Sequence, residues 1–260
     1  MAQRKSKCVF CGQSGASKEH IIARWIGKSL SLAVSIPGAT VTFRHRSANP
    51  EAEIAASEKS AKGTAFTTRS FCQECNSWMG ELEEEVKPIL EPMLHGQSVL
   101  LDDGAKSVLS RWAMKTVLAF QAAEAQQTTF ARPEDNKAFH ETRVVLPNTE
   151  IWLGSIRTGG EVFYRAHSTR LNESATGAID GFGATLVVGY AAFYLLHGYS
   201  RPFGLRISHT LSDALRQIHP PSTGTLVWPL HRPIDFDPEI GLTALIMHNS
   251  VLGPADTDRD

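Results

Sequence analysis

Four cysteines stand in this chain of 260 residues, and they form two pairs, Cys8-Val9-Phe10-Cys11 and Cys72-Gln73-Glu74-Cys75. Two residues between thiols let both sulfurs of a tight knuckle face one point. Two such knuckles supply the four tetrahedral ligands that zinc prefers. With every position taken by sulfur, such an ion is structural: it pins two distant segments of chain. A redox dithiol and unrelated buried cysteines are the other readings of the same spacing. Between the pairs lies Lys18-Glu19-His20-Ile21-Ile22, an acid directly before a histidine, and flush against the second pair stands Asn76. Glu19 offers a carboxylate and Asn76 a side-chain carbonyl, the oxygen donors a hard cation wants. An unperturbed histidine titrates at about pH 6.5, so His20 can be neutral at pH 7 and accept a proton. Taken singly, Asn76 reads as a helix cap and His20 as an exposed or capping histidine.

In their order, Cys8-x-x-Cys11, Glu19-His20-Ile21-Ile22 and Cys72-x-x-Cys75-Asn76 resemble the HNH endonucleases, the nucleases with a ββα-metal core. Trp25 soon after the acid-histidine pair, and Trp78-Met79 and Leu82-Glu83 after Asn76, are similar to bacterial and phage members of that family. The resemblance covers roughly the first third of the chain and implies a metal-dependent endonuclease that hydrolyses phosphodiester bonds in DNA. It implies His20 as general base on the attacking water. It implies Glu19 and Asn76 as the holders of a catalytic magnesium or manganese ion, beside a structural zinc on Cys8, Cys11, Cys72 and Cys75. The chain departs from the family pattern at three places. Glu19 stands where aspartate is usual. Phe66-Thr67-Thr68-Arg69-Ser70 holds no asparagine where the middle one is expected, and Met79-Gly80 replaces the usual Lys-Gly. The alternative reading is a catalytically inactive zinc-finger protein that binds nucleic acid or a partner, and the missing asparagine supports it.

The formal net charge of −1 argues against a uniformly basic nucleic-acid binder, but the average conceals an asymmetry. Through Pro50 the basic residues are Arg4, Lys5, Lys7, Lys18, Arg24, Lys28, Arg44 and Arg46, against the single acid Glu19. A phosphate backbone would be drawn to such a lobe. Arg24, Lys28, Arg44, Arg46 and Arg69 are the candidate phosphate contacts, with a solvated face as the bland alternative. No apolar run is long and charge-free enough to span a bilayer, and the basic start has no apolar segment to make it an export signal. Thiols in pairs without export are more often metal ligands than disulfides, and the expected location is the cytoplasm.

Around these residues the sequence predicts an α+β protein in three parts. Residues 1–95 form the zinc-stabilised nuclease-like module, 96–140 a helical connector, and 141–260 an α+β domain rich in antiparallel strands, open to homodimer formation. A strand ending near Ile22 is expected to lead into a helix burying Ile26 and Leu30. Val41-Thr42-Phe43 reads as a strand, and the second knuckle leads into a helix that Pro88 ends or bends. Glu83, Glu84 and Glu85 read as solvated helix face, with an approach of Glu83 to the catalytic ion as the alternative. Residues 96–104 read as a linker before a helix over 105–126 with Val108, Trp112, Ala113, Thr116, Val117 and Phe120 as a core stripe. Pro133 opens a further helix to about His140. Strands are expected at 143–146, 150–156 and 161–167, with Thr158-Gly159-Gly160 turning the second into the third. Two more flank Gly189. A helix is expected over 208–219 and a strand over 225–229.

Overall fold

The computed structural model describes residues 7–15, 17–33, 40–44, 58–62, 67–123, 130–159, 162–169, 180–221, 223–236, 242 and 250–252. The chain opens with strand β1 (Ser17–His20), helix α1 (Arg24–Ala33) and strands β2 (Thr40–Arg44), β3 (Glu58–Lys62) and β4 (Thr67–Phe71). Three helices interrupted by one short strand follow: α2 (Gln73–Leu94), β5 (Val99–Leu101), α3 (Asp103–Ala123) and α4 (Pro133–Thr142). The remainder is strand-rich: β6 (Thr149–Ser155), β7 (Val162–Thr169), β8 (Gly181–Val188), β9 (Ala191–Gly198), β10 (Leu205–Ile207), the short α5 (His209–Ser212), β11 (Leu215–His219), β12 (Leu226–Trp228) and β13 (Ser250–Leu252). The class is mixed α+β. Among the described residues no helix is long and apolar enough to cross a membrane.

At the centre lies a five-stranded antiparallel sheet in the order β11-β6-β9-β8-β7. Its strands are apolar on both faces because both faces are covered. Ile151, Leu153, Ala184, Leu186, Phe193 and Leu195 join a core shared with Trp112, Val117 and Phe120 of α3. Their neighbours Trp152, Val187, Tyr194 and Leu196 face a second cluster closed by Phe203, Leu205, Ala214 and Ile234. Successive strand residues point to opposite faces, so one strand serves both clusters. Aromatic pairs fix α3 on the sheet: Phe120 stacks on Tyr164 at 4.3 Å and Trp112 meets Phe193 edge-on at 5.6 Å. The larger core runs on without a break into Phe10, Ile22, Ile26, Phe71, Met79 and Val86, so the cysteine-bearing segments share it with the helices and sheet.

Gly189 and Tyr190 make the turn between β8 and β9. Gly189 has φ +60°, and a Cβ there would lie 2.6 Å from the Leu94 carbonyl oxygen. Glycine therefore lets the hairpin tip rest against the end of α2.

Several elements differ from expectation for reasons of packing. The helix expected over 208–219 is a single helical turn followed by β11. Leu215 and Ile218, which suit a helical stripe, instead bury on the edge strand that pairs with β6. Residues 143–146 are not a strand: Arg143 caps α4 in the left-handed conformation at φ 59°. Strands β6 and β7 are not a hairpin, because β9 and β8 lie between them. Helix α2 continues through Pro88 and Pro92 to Leu94, and the expected linker holds β5, paired with β12.

Candidate functional site

The four cysteines converge. Their sulfurs all lie within 4.8 Å of one another, and none is in a disulfide. Among the described residues this is the only group of three or more His, Cys, Asp or Glu side chains so gathered. Local backbone explains the first knuckle. The Cys8 amide donates to the Gln13 carbonyl at 2.8 Å, the Gly12 amide donates to the Cys8 carbonyl at 2.9 Å, and Gly12 takes φ +73°, where a side chain would be strained. The second knuckle is the start of α2: Cys72 precedes the helix, Cys75 lies one turn in, and the Asn76 amide donates to the Cys72 carbonyl. The Val9 amide donates to the Ser70 carbonyl at 2.9 Å, stitching the two knuckles together.

A metal fits this set. A tetrahedral ion with bonds of about 2.3 Å spaces its sulfurs by about 3.8 Å, and Cys11 Sγ and Cys72 Sγ lie 3.5 Å apart. Burial opposes ionisation of Cys8, yet the backbone amides of Cys11, Cys72 and Phe10 donate to it and bring its pKa to about 7. Burial pushes Cys11 and Cys75 up, and neighbouring sulfurs add to the rise at both. Crowded thiols of this kind are relieved by a cation that takes up their charge. An aromatic cluster supports the quartet from below, with Phe10 packed on Phe71 at 4.8 Å and on Phe139 at 6.0 Å.

Glu19 and His20 end β1, which pairs antiparallel with β4; Glu19 lies opposite Thr68 and His20 opposite Thr67. Strand β4 runs directly into α2. Asn76, in the first turn of α2, donates from Nδ2 to Ser17 Oγ on β1 at 3.1 Å, and Ser17 donates on to the Phe71 carbonyl at 3.1 Å. Asn76 is thus tied to the acid-histidine strand through Ser17. With its nitrogen committed there, the carbonyl oxygen is the atom left to meet a cation.

Successive residues of β1 point opposite ways, and the two side chains have different surroundings. Burial raises the Glu19 carboxyl to about 7; Lys115 pulls it down and Glu83 pushes it up. Those two form a buried ion pair, in which Lys115 Nζ donates to Glu83 Oε1 while Trp112 Nε1 donates to Glu83 Oε2 at 3.1 Å. Glu83 is therefore not solvated helix face: it is 7% exposed and fixed between α2 and α3. His20 is held below its ordinary pKa by partial burial and by the charges of Arg24 and Lys18. Arg24 donates from Nε to His20 Nε2 at 3.1 Å, which leaves the ring neutral with its proton on Nδ1.

Of the residues nominated as phosphate contacts, Arg24, Lys28 and Arg69 are exposed. Arg24 is bonded to His20. Arg44 lies on β2, and its side chain is outside the described residues, as is all of Arg46. Sequence reasoning did not assign Lys18, exposed on β1 and close enough to depress His20, or the Glu83–Lys115–Trp112 network. One signal for that network was present: Lys115 falls inside the run 112–120, whose other residues are apolar save Thr116, and a lysine there demands a counter-charge.

Compared with protein-family models, with curated proteins and with solved structures, the chain has no match.

Proposed function

We propose that this protein is a metal-dependent endonuclease of the HNH type, acting on phosphodiester bonds of DNA. One observation carries the reading. A neutral histidine follows an acid at the end of a strand whose antiparallel partner runs straight into a helix, with a four-cysteine cluster bracketing the unit. That strand–strand–helix order is what the HNH resemblance implies. Two exposed cations stand beside the histidine, Lys18 on its own strand and Arg24 on the helix after it, and Arg69 is exposed on β4.

In this reading the quartet holds zinc and fixes the relation of β1 to α2. His20 takes the proton of the attacking water as its oxygen bonds to phosphorus; the bond from phosphorus to the 3′ oxygen breaks, and that oxygen leaves with a proton from solvent. Its neutral state, favoured by burial and two cationic neighbours, is the competent one for a base. Arg24 releases Nε2 when its guanidinium turns to a phosphate, which it binds better than a neutral ring. A divalent ion, magnesium or manganese, held by Glu19 and Asn76 would supply charge neutralisation at the phosphate. Water and substrate would be left to fill its other positions, as is usual for magnesium.

A second reading is favoured by a specific observation. Glu19 keeps company with the Lys115–Glu83 pair, and Arg24 covers the lone pair of His20. Left so, the module would bind nucleic acid through its cations and cut nothing. Supercoiled plasmid incubated with magnesium or manganese separates the two. Nicking by the wild type, lost in His20→Ala, supports the nuclease. Retention of plasmid without nicking under either metal would move the assignment to a binding module.

A further inference from the structure

We propose that His140 belongs to the metal site as an outer donor: from α4 its Nδ1–H is given to the Cys75 thiolate, so that docking of α4 depends on the bound ion. The inference rests on the quartet holding zinc and is independent of any cleavage activity. His140 Nδ1 lies 3.6 Å from Cys75 Sγ, a distance suited to a hydrogen bond to sulfur. It is not one of the four ligand atoms that lie within 4.8 Å of one another, so it stands beside the cluster and not in it. Four thiolates on one dication leave a net negative charge, and N–H groups around such a site offset it.

The rest of α4 holds His140 in place and carries the link onward. Phe139, the adjacent residue, packs against Trp78 of α2 at 5.6 Å and against Phe10 of the first knuckle. The Arg143 guanidinium, just past the helix, lies over the Trp78 ring at 3.9 Å. At the other end of α4, Asp135 accepts from the Arg132 amide at 3.0 Å and faces His197 of β9 at 3.6 Å. His197 in turn meets Thr149 of β6 at 2.9 Å. One end of α4 therefore touches the cysteine cluster and the other touches the central sheet.

The test compares the full chain with His140→Gln, which keeps a donor, and His140→Leu, which fills space without one. Zinc release to a chromogenic chelator is followed, and cobalt(II) replaces zinc to read the ligand set from its sulfur charge-transfer and d–d bands. The expected result is a four-sulfur cobalt spectrum in all three proteins. Release should be about tenfold faster in the Leu variant and near wild type in the Gln variant. Amide exchange across Pro133–Thr142 should rise in the Leu variant while zinc is still bound. Equal release rates in wild type and the Leu variant would overturn the proposal, as would a Gln variant as fast as the Leu variant. A wild-type cobalt spectrum with a nitrogen ligand would also overturn it, since His140 would then be a ligand. A chain that binds zinc, shows these rates and cuts no DNA leaves the inference standing.

Discussion

Asn76 Nδ2 donates to Ser17 Oγ at 3.1 Å, across 59 residues of sequence, and this bond joins the first turn of α2 to the strand carrying Glu19 and His20. Under the nuclease reading it separates two duties of Asn76, the nitrogen tying the strand and the carbonyl oxygen meeting the ion. Ser17→Ala removes the tie and leaves the carbonyl; Asn76→Ala removes both. Each should cost about 1 kcal/mol of stability in urea unfolding. Manganese binding, read by calorimetry or by paramagnetic broadening, should weaken severalfold in Ser17→Ala and be lost in Asn76→Ala. Equal manganese affinity in Asn76→Ala and wild type would remove Asn76 from the ion's shell.

The quartet should carry one zinc per chain after exhaustive dialysis, measured by elemental analysis. Serine at any one of the four positions should lower that occupancy. The loss should appear in the near-ultraviolet dichroism, because Phe10, Phe71 and Trp78 pack beneath the knuckles. Apolar packing in the same core gives α2 and α3 their own support, so a chelator should leave the helical signal largely in place. A chain purified without metal and unmoved by chelator would mean that the thiols pack as ordinary buried groups.

Glu19 should withdraw stability as pH rises from about 4.5 to about 7, because burial raises its folded pKa to about 7 from an ordinary 4.5. Within that window the folded Glu19 holds its proton more than the unfolded one does, so raising pH penalises the fold at this group. His20, His140, His167 and His219, whose pKa values burial lowers, act with the opposite sign as pH rises toward 6.5. Asp135 shares that opposite sign. Burial would raise it, but the facing His197 ring and the hydrogen bond from the Arg132 amide prevail and hold it below its ordinary 3.8. Its contribution is present above that value and is lost as pH falls through the folded pKa. Denaturant midpoints taken from about pH 2 to about pH 8 read both. Between about pH 4.5 and about 7 the difference between wild type and Glu19→Gln isolates the Glu19 contribution, and a divalent cation at Glu19 should reverse its sign.

The convergence of the four cysteines was legible in sequence because knuckle geometry is local: two intervening residues decide where two sulfurs point. Helices α2 and α3 were legible because Met79, Leu82 and Val86, and Trp112, Val117 and Phe120, recur at helical spacing and are buried. Residues 208–219 misled because Leu211, Leu215 and Ile218 fit a helical stripe as well as a buried edge strand, and only pairing with β6 decides. Sheet order lay outside the sequence signal as well. A turn at Thr158-Gly159 is visible locally, but that β9 and β8 separate the strands it joins is a property of the whole sheet. The roles of Arg24 and Glu83 stayed hidden for a related reason. A cation and an acid on helices look solvated until the fold sets His20 and Lys115 beside them.

The Glu83–Lys115 pair makes the sharpest stability prediction. Lys115 is 1% exposed and Glu83 7%, so each charge depends on the other for its place in the core. Lys115→Met strands a carboxylate among Trp112 and the apolar faces of α2 and α3, and should cost about 3–5 kcal/mol in guanidinium unfolding. Glu83→Leu strands the ammonium and leaves the Trp112 N–H without its acceptor, with a loss of similar size. The double variant, apolar on both sides, should recover most of that loss, and the cycle then reports a coupling of several kcal/mol. The same variants act on Glu19 with opposite signs. Removing Lys115 takes away the charge that pulls the Glu19 carboxyl down, and removing Glu83 takes away the one that pushes it up. Under the nuclease reading, manganese should therefore bind more weakly to Lys115-neutral protein only if that protein has lost its fold. A folded Lys115→Met chain, freed of a competing cation, should bind it as tightly as wild type or tighter. A folded chain that binds it more weakly would show that the buried lysine supports the ion's site and does not compete with it.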